Sequence, residues 1–126
     1  MKNILVVDDS ATMRRMVMAS LRTLSDVKFS EANNGLEAIE QLALAPVDLM
    51  ILDLNMPEMH GMDVLNFMRG HQKYNKIPII VLTTKGDEVT HTTTLAAGAS
   101  RYITKPFQPQ VLAAHVSELL LQQTLK

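Results

Sequence analysis

The chain has no cysteine and no tryptophan, and two tyrosines and three phenylalanines are its whole aromatic content. Without cysteine there is no disulfide framework, no thiolate nucleophile and no thiolate-ligated zinc or iron–sulfur centre. That composition fits a reducing compartment, and the cytoplasm is the expected location. Glycine and proline are few, five of each, and no Ser/Gly linker or low-complexity tract interrupts the chain. An excess of one charge sign is also missing: 12 Lys and Arg face 13 Asp and Glu, a net charge of −1. Nucleic acid and anionic membrane surfaces call for a basic excess, so neither is expected as a partner. Long apolar runs are absent near the start, where Ile4-Leu5-Val6-Val7 gives way at once to Asp8-Asp9. Four residues are too few for a signal-peptide core or a membrane span.

What is present is one domain's length, 126 residues, read as a single unit over 1–126. Folding at this size buries about two-thirds of the unfolded surface, enough for a core without staples. Short apolar runs at Ile4–Val7, Leu49–Leu52 and Ile79–Leu82 predict strands covered on both faces. Weaker strands are predicted near Val27–Glu31 and Arg101–Thr104. Between them Met13, Met16, Val17, Leu21 and Leu24 recur at helical spacing. So do Leu36, Ile39 and Leu42, and then Met62, Leu65 and Met68. A fourth helix is expected over roughly Glu88–Ala97, ended by Gly98, although Thr90, Thr92, Thr93 and Thr94 are poor helix formers. A fifth starts at Gln108-Pro109 and is expected to turn Val111, Leu112, Val116, Leu119 and Leu120 inward. This alternation predicts an α/β fold: a doubly wound, five-stranded parallel sheet of flavodoxin-like order 2-1-3-4-5 with five helices.

Such sheets bind ligands at the carboxyl ends of their strands, at the switch point between strands 1 and 3. Asp8 and Asp9 end strand 1, Asp53 ends strand 3, Thr83 ends strand 4 and Lys105 follows strand 5. Three carboxylates converging on one edge repel one another, so the cluster makes sense with a cation among them. Oxygen ligands without His or Cys point to a hard divalent ion, and an open site favours Mg²⁺ over Ca²⁺. With Lys105 and a metal offsetting anion–anion repulsion, a spare carboxylate there can attack a phosphoryl group, and Thr83 can donate to a phosphoryl oxygen. Taken singly each residue has a blander reading, Asp9 or Ser10 as the N-cap of the first helix and Lys105 as a surface charge. Their joint placement at four strand ends carries the argument.

Four stretches make the site recognisable: Val7-Asp8-Asp9-Ser10; Leu52-Asp53-Leu54-Asn55-Met56-Pro57 with Gly61; Leu82-Thr83-Thr84; and Ala99-Ser100-Arg101-Tyr102-Ile103-Thr104-Lys105-Pro106-Phe107. They resemble the receiver domain of two-component response regulators, over essentially the whole chain and in the family's order. Asp-Asp-Ser followed by Arg14 is similar to the stand-alone chemotaxis regulators of the CheY type. The resemblance implies a phosphorylation-gated switch rather than an enzyme acting on other molecules. Asp53 would be the phosphoacceptor, taking the group from a histidine kinase. Mg²⁺ would be held by Asp8, Asp9, Asp53 and the backbone carbonyl of Asn55. Lys105 would bind the phosphoryl oxygens, Thr83 would swing toward them and Tyr102 would turn inward. The Lys105-Pro106 bond would be cis, and Gly61 would occupy a tight turn before the third helix. Output would pass by protein contact through the fourth helix, fifth strand and fifth helix, to a component such as the flagellar motor switch. A receiver cut from a longer regulator, or a phosphate sink, fits the same residues. Thr84 and Lys85 stand where the family often has a small Ala and varied, including acidic, residues.

Other signals carry less. Met56, Met59 and Met62 with His60 have a thioether spacing that could hold Cu(I), but nine methionines overall favour core filling. His71, His91 and His115 have no metal-ligand spacing. Arg14-Arg15 reads as a solvated pair or a dock for an acidic partner. A haloacid-dehalogenase-type phosphohydrolase also uses a strand-end aspartate, but it needs a second Asp two positions on, where this chain has Asn55. A receiver-like module that never takes phosphate would have no reason to keep the repulsive carboxylates.

Overall fold

The computed structural model describes residues 1–56 and 59–124; Pro57 of the quoted motif and residues 125–126 of the expected domain lie outside the described residues. Strands and helices alternate: β1 (Lys2–Val7), α1 (Ala11–Ser20), β2 (Val27–Ala32), α2 (Gly35–Leu44), β3 (Leu49–Leu52), α3 (Gly61–Arg69), β4 (Ile79–Thr83), α4 (Glu88–Ala96), β5 (Arg101–Thr104) and α5 (Pro109–Thr124). The strands form one parallel sheet in the order β2-β1-β3-β4-β5, as expected.

The unbroken apolar strands have the predicted cause. Alternate side chains of β1, β3 and β4 enter two separate cores. Leu5, Val7, Met50, Leu52, Ile79 and Val81 face α2 and α3, meeting Ala38, Leu42, Val64, Leu65 and Met68. Ile4, Val6, Leu49, Ile51, Ile80 and Leu82 face α1 and α5, meeting Val17, Leu21, Leu112, Val116 and Leu119. Each large side chain so buried contributes roughly 1.5–3 kcal/mol, so these three strands are anchored from both sides and their carboxyl ends are rigidly placed.

Three expected core positions are corrected. Met16, Leu36 and Val111 are exposed. Each sits about 100° of helix from the buried line: beside Val17 in α1, beside Gly35, Ala38 and Leu42 in α2, and beside Leu112, Val116 and Leu119 in α5. Leu24 lies past the end of α1 and packs from the following turn. Helix α4 forms despite its threonines, for two reasons. Asp87 caps it, its carboxylate accepting the Thr90 N–H at 2.9 Å and the Thr90 hydroxyl at 2.8 Å. Thr94 is buried, its hydroxyl donating to the Met62 sulfur. Gly98, with φ of +115°, ends the element in a conformation that L side chains rarely adopt.

Candidate functional site

The sheet's order reverses between β1 and β3, with β2 on one side and β4 and β5 on the other. There the hydrogen-bond ladder runs one residue past each strand. The Asp8 N–H donates to the Ala32 carbonyl (3.1 Å), the Asp53 N–H to the Val7 carbonyl (3.0 Å), and the Lys105 N–H to the Thr83 carbonyl (2.7 Å). The backbone thus sets Asp8, Asp53 and Lys105 at one edge before any side chain interacts. Gly61 allows the loop after β3 to close: a Cβ there would stand 2.3 Å from the Asp53 carbonyl oxygen and 2.7 Å from Leu54 Cα. The Lys105-Pro106 bond is cis.

Carboxylate oxygens of Asp8, Asp9 and Asp53 lie within 4.8 Å of one another. Asp8 and Asp53 are only 4% exposed, whereas Asp9 faces solvent. The Lys105 ammonium lies 2.8 Å from Asp8 Oδ2 and 3.7 Å from Asp53 Oδ1. Asp8 Oδ1 accepts the Ser10 N–H at 2.9 Å. One ammonium does not neutralise three carboxylates. At an effective dielectric of about 20, two unit charges roughly 4 Å apart interact by about 4 kcal/mol, so the excess negative charge is a substantial local penalty. Burial pushes the Asp53 carboxyl above its ordinary range; Lys105 opposes this, Asp8 raises it further, the Asn55 backbone N–H opposes, and Asp9 adds a last upward push. Asp53 Oδ1 is also buried and meets no hydrogen-bond donor among the described residues. An orphaned, desolvated carboxylate oxygen beside two further carboxylates, with no His or Cys among them, is a donor set suited to a hard divalent cation.

The remaining expected residues lie on β4, β5 and the loop after β3. Thr83 is fully buried and its hydroxyl accepts the Lys85 N–H at 3.3 Å. Asn55, two residues beyond Asp53, is exposed between the buried Leu54 and Met56. Asn55, His60, Asp63 and Lys85 line a groove of about 470 Å³ between that loop and α4. The half-buried Tyr102 donates its hydroxyl to the Lys85 carbonyl, and its ring stacks on His91 with centroids 4.7 Å apart and planes at 16°. Sequence reasoning did not pair His91 with Tyr102, since spacing alone cannot show a cross-element stack. Of the Arg14-Arg15 pair, Arg15 is exposed as expected, whereas Arg14 is largely covered and engaged. Its side chain is 14% exposed and bonds the Asp8 carbonyl, Glu31 and Asn33. The available signal was its position one turn into α1, because helical side chains lean back toward the N-terminus.

A parallel five-stranded sheet with three carboxylates, a threonine and a lysine along the carboxyl ends of its strands defines the class. The family model for the response regulator receiver domain matches residues 4–117, and the chain belongs to that family, the phosphorylation-gated signalling modules of two-component systems. Chemotaxis protein CheY1 of Helicobacter pylori is 44% identical over 118 residues, 93% of this chain and 95% of that one. The receiver domain of a signal transduction histidine kinase from Syntrophus aciditrophicus superposes with a TM-score of 0.88 at 35% identity, covering 97% of this chain and 92% of that one. The Mn²⁺-bound form of response regulator Rcp1 superposes with a TM-score of 0.80 at 28% identity, covering 94% and 91%.

Proposed function

We propose that the chain, as one receiver domain over 1–126, accepts a phosphoryl group from a histidine kinase on Asp53. The observation that carries this is the buried Asp53 Oδ1, which meets no hydrogen-bond donor among the described residues and lies 3.7 Å from the Lys105 ammonium. An oxygen left unpaired in this way is available as a nucleophile. Asp8, Asp9, Asp53 and the backbone carbonyl of Asn55 would hold Mg²⁺, a reading supported by the carboxylate cluster and by the Mn²⁺-bound form of the Rcp1 relative. When bound, the ion offsets negative charge on the carboxylates and on incoming phosphoryl oxygens.

A carboxylate oxygen of Asp53 forms the new O–P bond as the P–N bond of the donor's phosphohistidine breaks, and the imidazole leaves. Lys105, anchored on Asp8, takes up charge on the phosphoryl oxygens. Thr83 gives up the Lys85 N–H and turns its hydroxyl to a phosphoryl oxygen, which frees the β4–α4 loop. Tyr102 is tied to that same loop through the Lys85 carbonyl, so it moves inward with it and alters the surface of α4, β5 and α5. The CheY1 relative supports a chemotaxis role; we place the chain in the cytoplasm, with a flagellar motor switch component as its output partner.

Incubation with Mg²⁺ and acetyl phosphate tests the site. The expected product is an acid-stable, base-labile acyl phosphate that is absent in Asp53→Asn and absent from wild type in chelator. Full phosphoryl uptake by the variant overturns the assignment.

A further inference from the structure

The Asp9 carboxylate accepts no hydrogen bond among the described residues, in contrast to Asp8, which is held through Oδ1 by Ser10 and through Oδ2 by Lys105. An exposed carboxylate with no partner of its own keeps its place in a cluster only if the backbone aims it. The peptide joining Asp8 to Asp9 is planar, so fixing the Asp8 carbonyl fixes the plane in which the Asp9 Cα lies and from which its side chain departs. That carbonyl accepts a short 2.6 Å bond from Arg14 Nη1.

Arg14 is itself fixed. Its Nε donates to Glu31 Oε1 at 2.8 Å, and Nη1 also reaches Asn33 Oδ1 at 3.3 Å. The planar guanidinium thereby joins the start of α1, the end of β1 and the β2–α2 connection. The Asn33 N–H in turn donates to Glu37 Oε1 at 2.7 Å, which fastens this connection to α2. We infer that Arg14 is a positioning residue for divalent-cation binding: by pinning the Asp8–Asp9 peptide plane it holds the Asp9 carboxylate in the metal-binding set. The inference rests on the proposed Mg²⁺ site.

Charge and position act in opposite directions here, and that makes the test decisive. A guanidinium this close to the cluster repels a dication, so if its charge were all that mattered, removing it would tighten binding. If it positions Asp9, removing it weakens binding, since partners that orient metal ligands are typically worth 10- to 100-fold in metal affinity. The experiment is isothermal titration of the full chain with Mg²⁺ alone, comparing wild type with Arg14→Met, which keeps the aliphatic stem but none of the donors. The expected result is a dissociation constant raised about tenfold, with the far-ultraviolet dichroism of the metal-free protein unchanged. Equal or tighter binding by a folded variant overturns the inference. No Mg²⁺ binding by wild type overturns the proposed metal site on which it stands. Should Arg14→Met fail to fold, Glu31→Gln decides the question: it removes the ion pair from an exposed position, and its Mg²⁺ affinity is expected to fall severalfold, with unchanged affinity overturning the inference.

Discussion

At the scale of single residues the site is a balance of like charges. Neutralising Asp53 removes repulsion from Asp8 and Asp9 and leaves a side chain of nearly the same shape. Asp53→Asn is therefore expected to raise the urea midpoint of the metal-free protein at neutral pH while abolishing phosphorylation. An unchanged midpoint would mean that the carboxylates interact less strongly than their separation implies. Lys85 offers a second test. It lines the same groove as Asn55, and water is expected to approach a phosphoryl group on Asp53 through that groove. A flexible ammonium there can pair with phosphoryl oxygens and occlude the water, whereas a carboxylate can orient it. Lys85→Glu is expected to speed phosphoryl loss severalfold, measured as decay of the acyl phosphate under matched Mg²⁺. Equal or slower decay would remove Lys85 from the mechanism.

Among the elements, the loop between β3 and α3 is held to its path by one turn residue. Gly61 is there because the chain doubles back against Asp53 and Leu54, and the atoms that a Cβ would meet belong to the backbone. Backbone yields less readily than a flexible side chain. Gly61→Ala is expected to cost on the order of 1–3 kcal/mol, read as a lower urea midpoint, and to slow phosphorylation because the displaced loop carries Asp53 and Asn55. A midpoint equal to wild type would show that the loop has room to adjust. Helix α4 shows a different balance. Four β-branched threonines weaken it, while the Asp87 cap and the burial of Thr94 hold it. An element with so little intrinsic preference for helix is suited to a face that changes shape, and the stack of His91 on Tyr102 joins it to β5.

The molecule as a whole registers the site through its pH dependence. Asp53 has a carboxyl raised above its unfolded range, chiefly by burial, so between the ordinary carboxylate pKa near 4 and the raised value the native state holds a proton that the unfolded chain has lost. Unfolding free energy then falls as pH rises through that window. In chelator the stability difference between Asp53→Asn and wild type is expected to widen over the same interval, as read from urea midpoints; a constant difference would refute the linkage. Saturating Mg²⁺ should reverse the penalty, because a ligand that binds only the native state stabilises by about 2.7 kcal/mol at a hundred times its dissociation constant.

The order and type of the strands and helices were fixed by sequence alone. Apolar runs such as Leu49–Leu52 can be satisfied only in a strand buried on both faces, and a βα alternation of short loops leaves few topologies. Asp8, Asp53, Thr83 and Lys105 were legible for the same reason, since a residue that ends a parallel strand is placed at the sheet's edge by the ladder itself. Tertiary structure alone decided which helical residues turned outward, because Met16, Leu36 and Val111 each sit one position from a buried line whose direction depends on how the helix lies on the sheet. It also decided which groups meet across elements far apart in sequence. Arg14 reaches Glu31 and Asn33, and Tyr102 reaches His91 and Lys85, through contacts that no spacing within one element encodes. The burial that isolates Asp53 Oδ1 and lifts its carboxyl is likewise a property of the packed site, because desolvation exists only once the surrounding chain has closed around the oxygen.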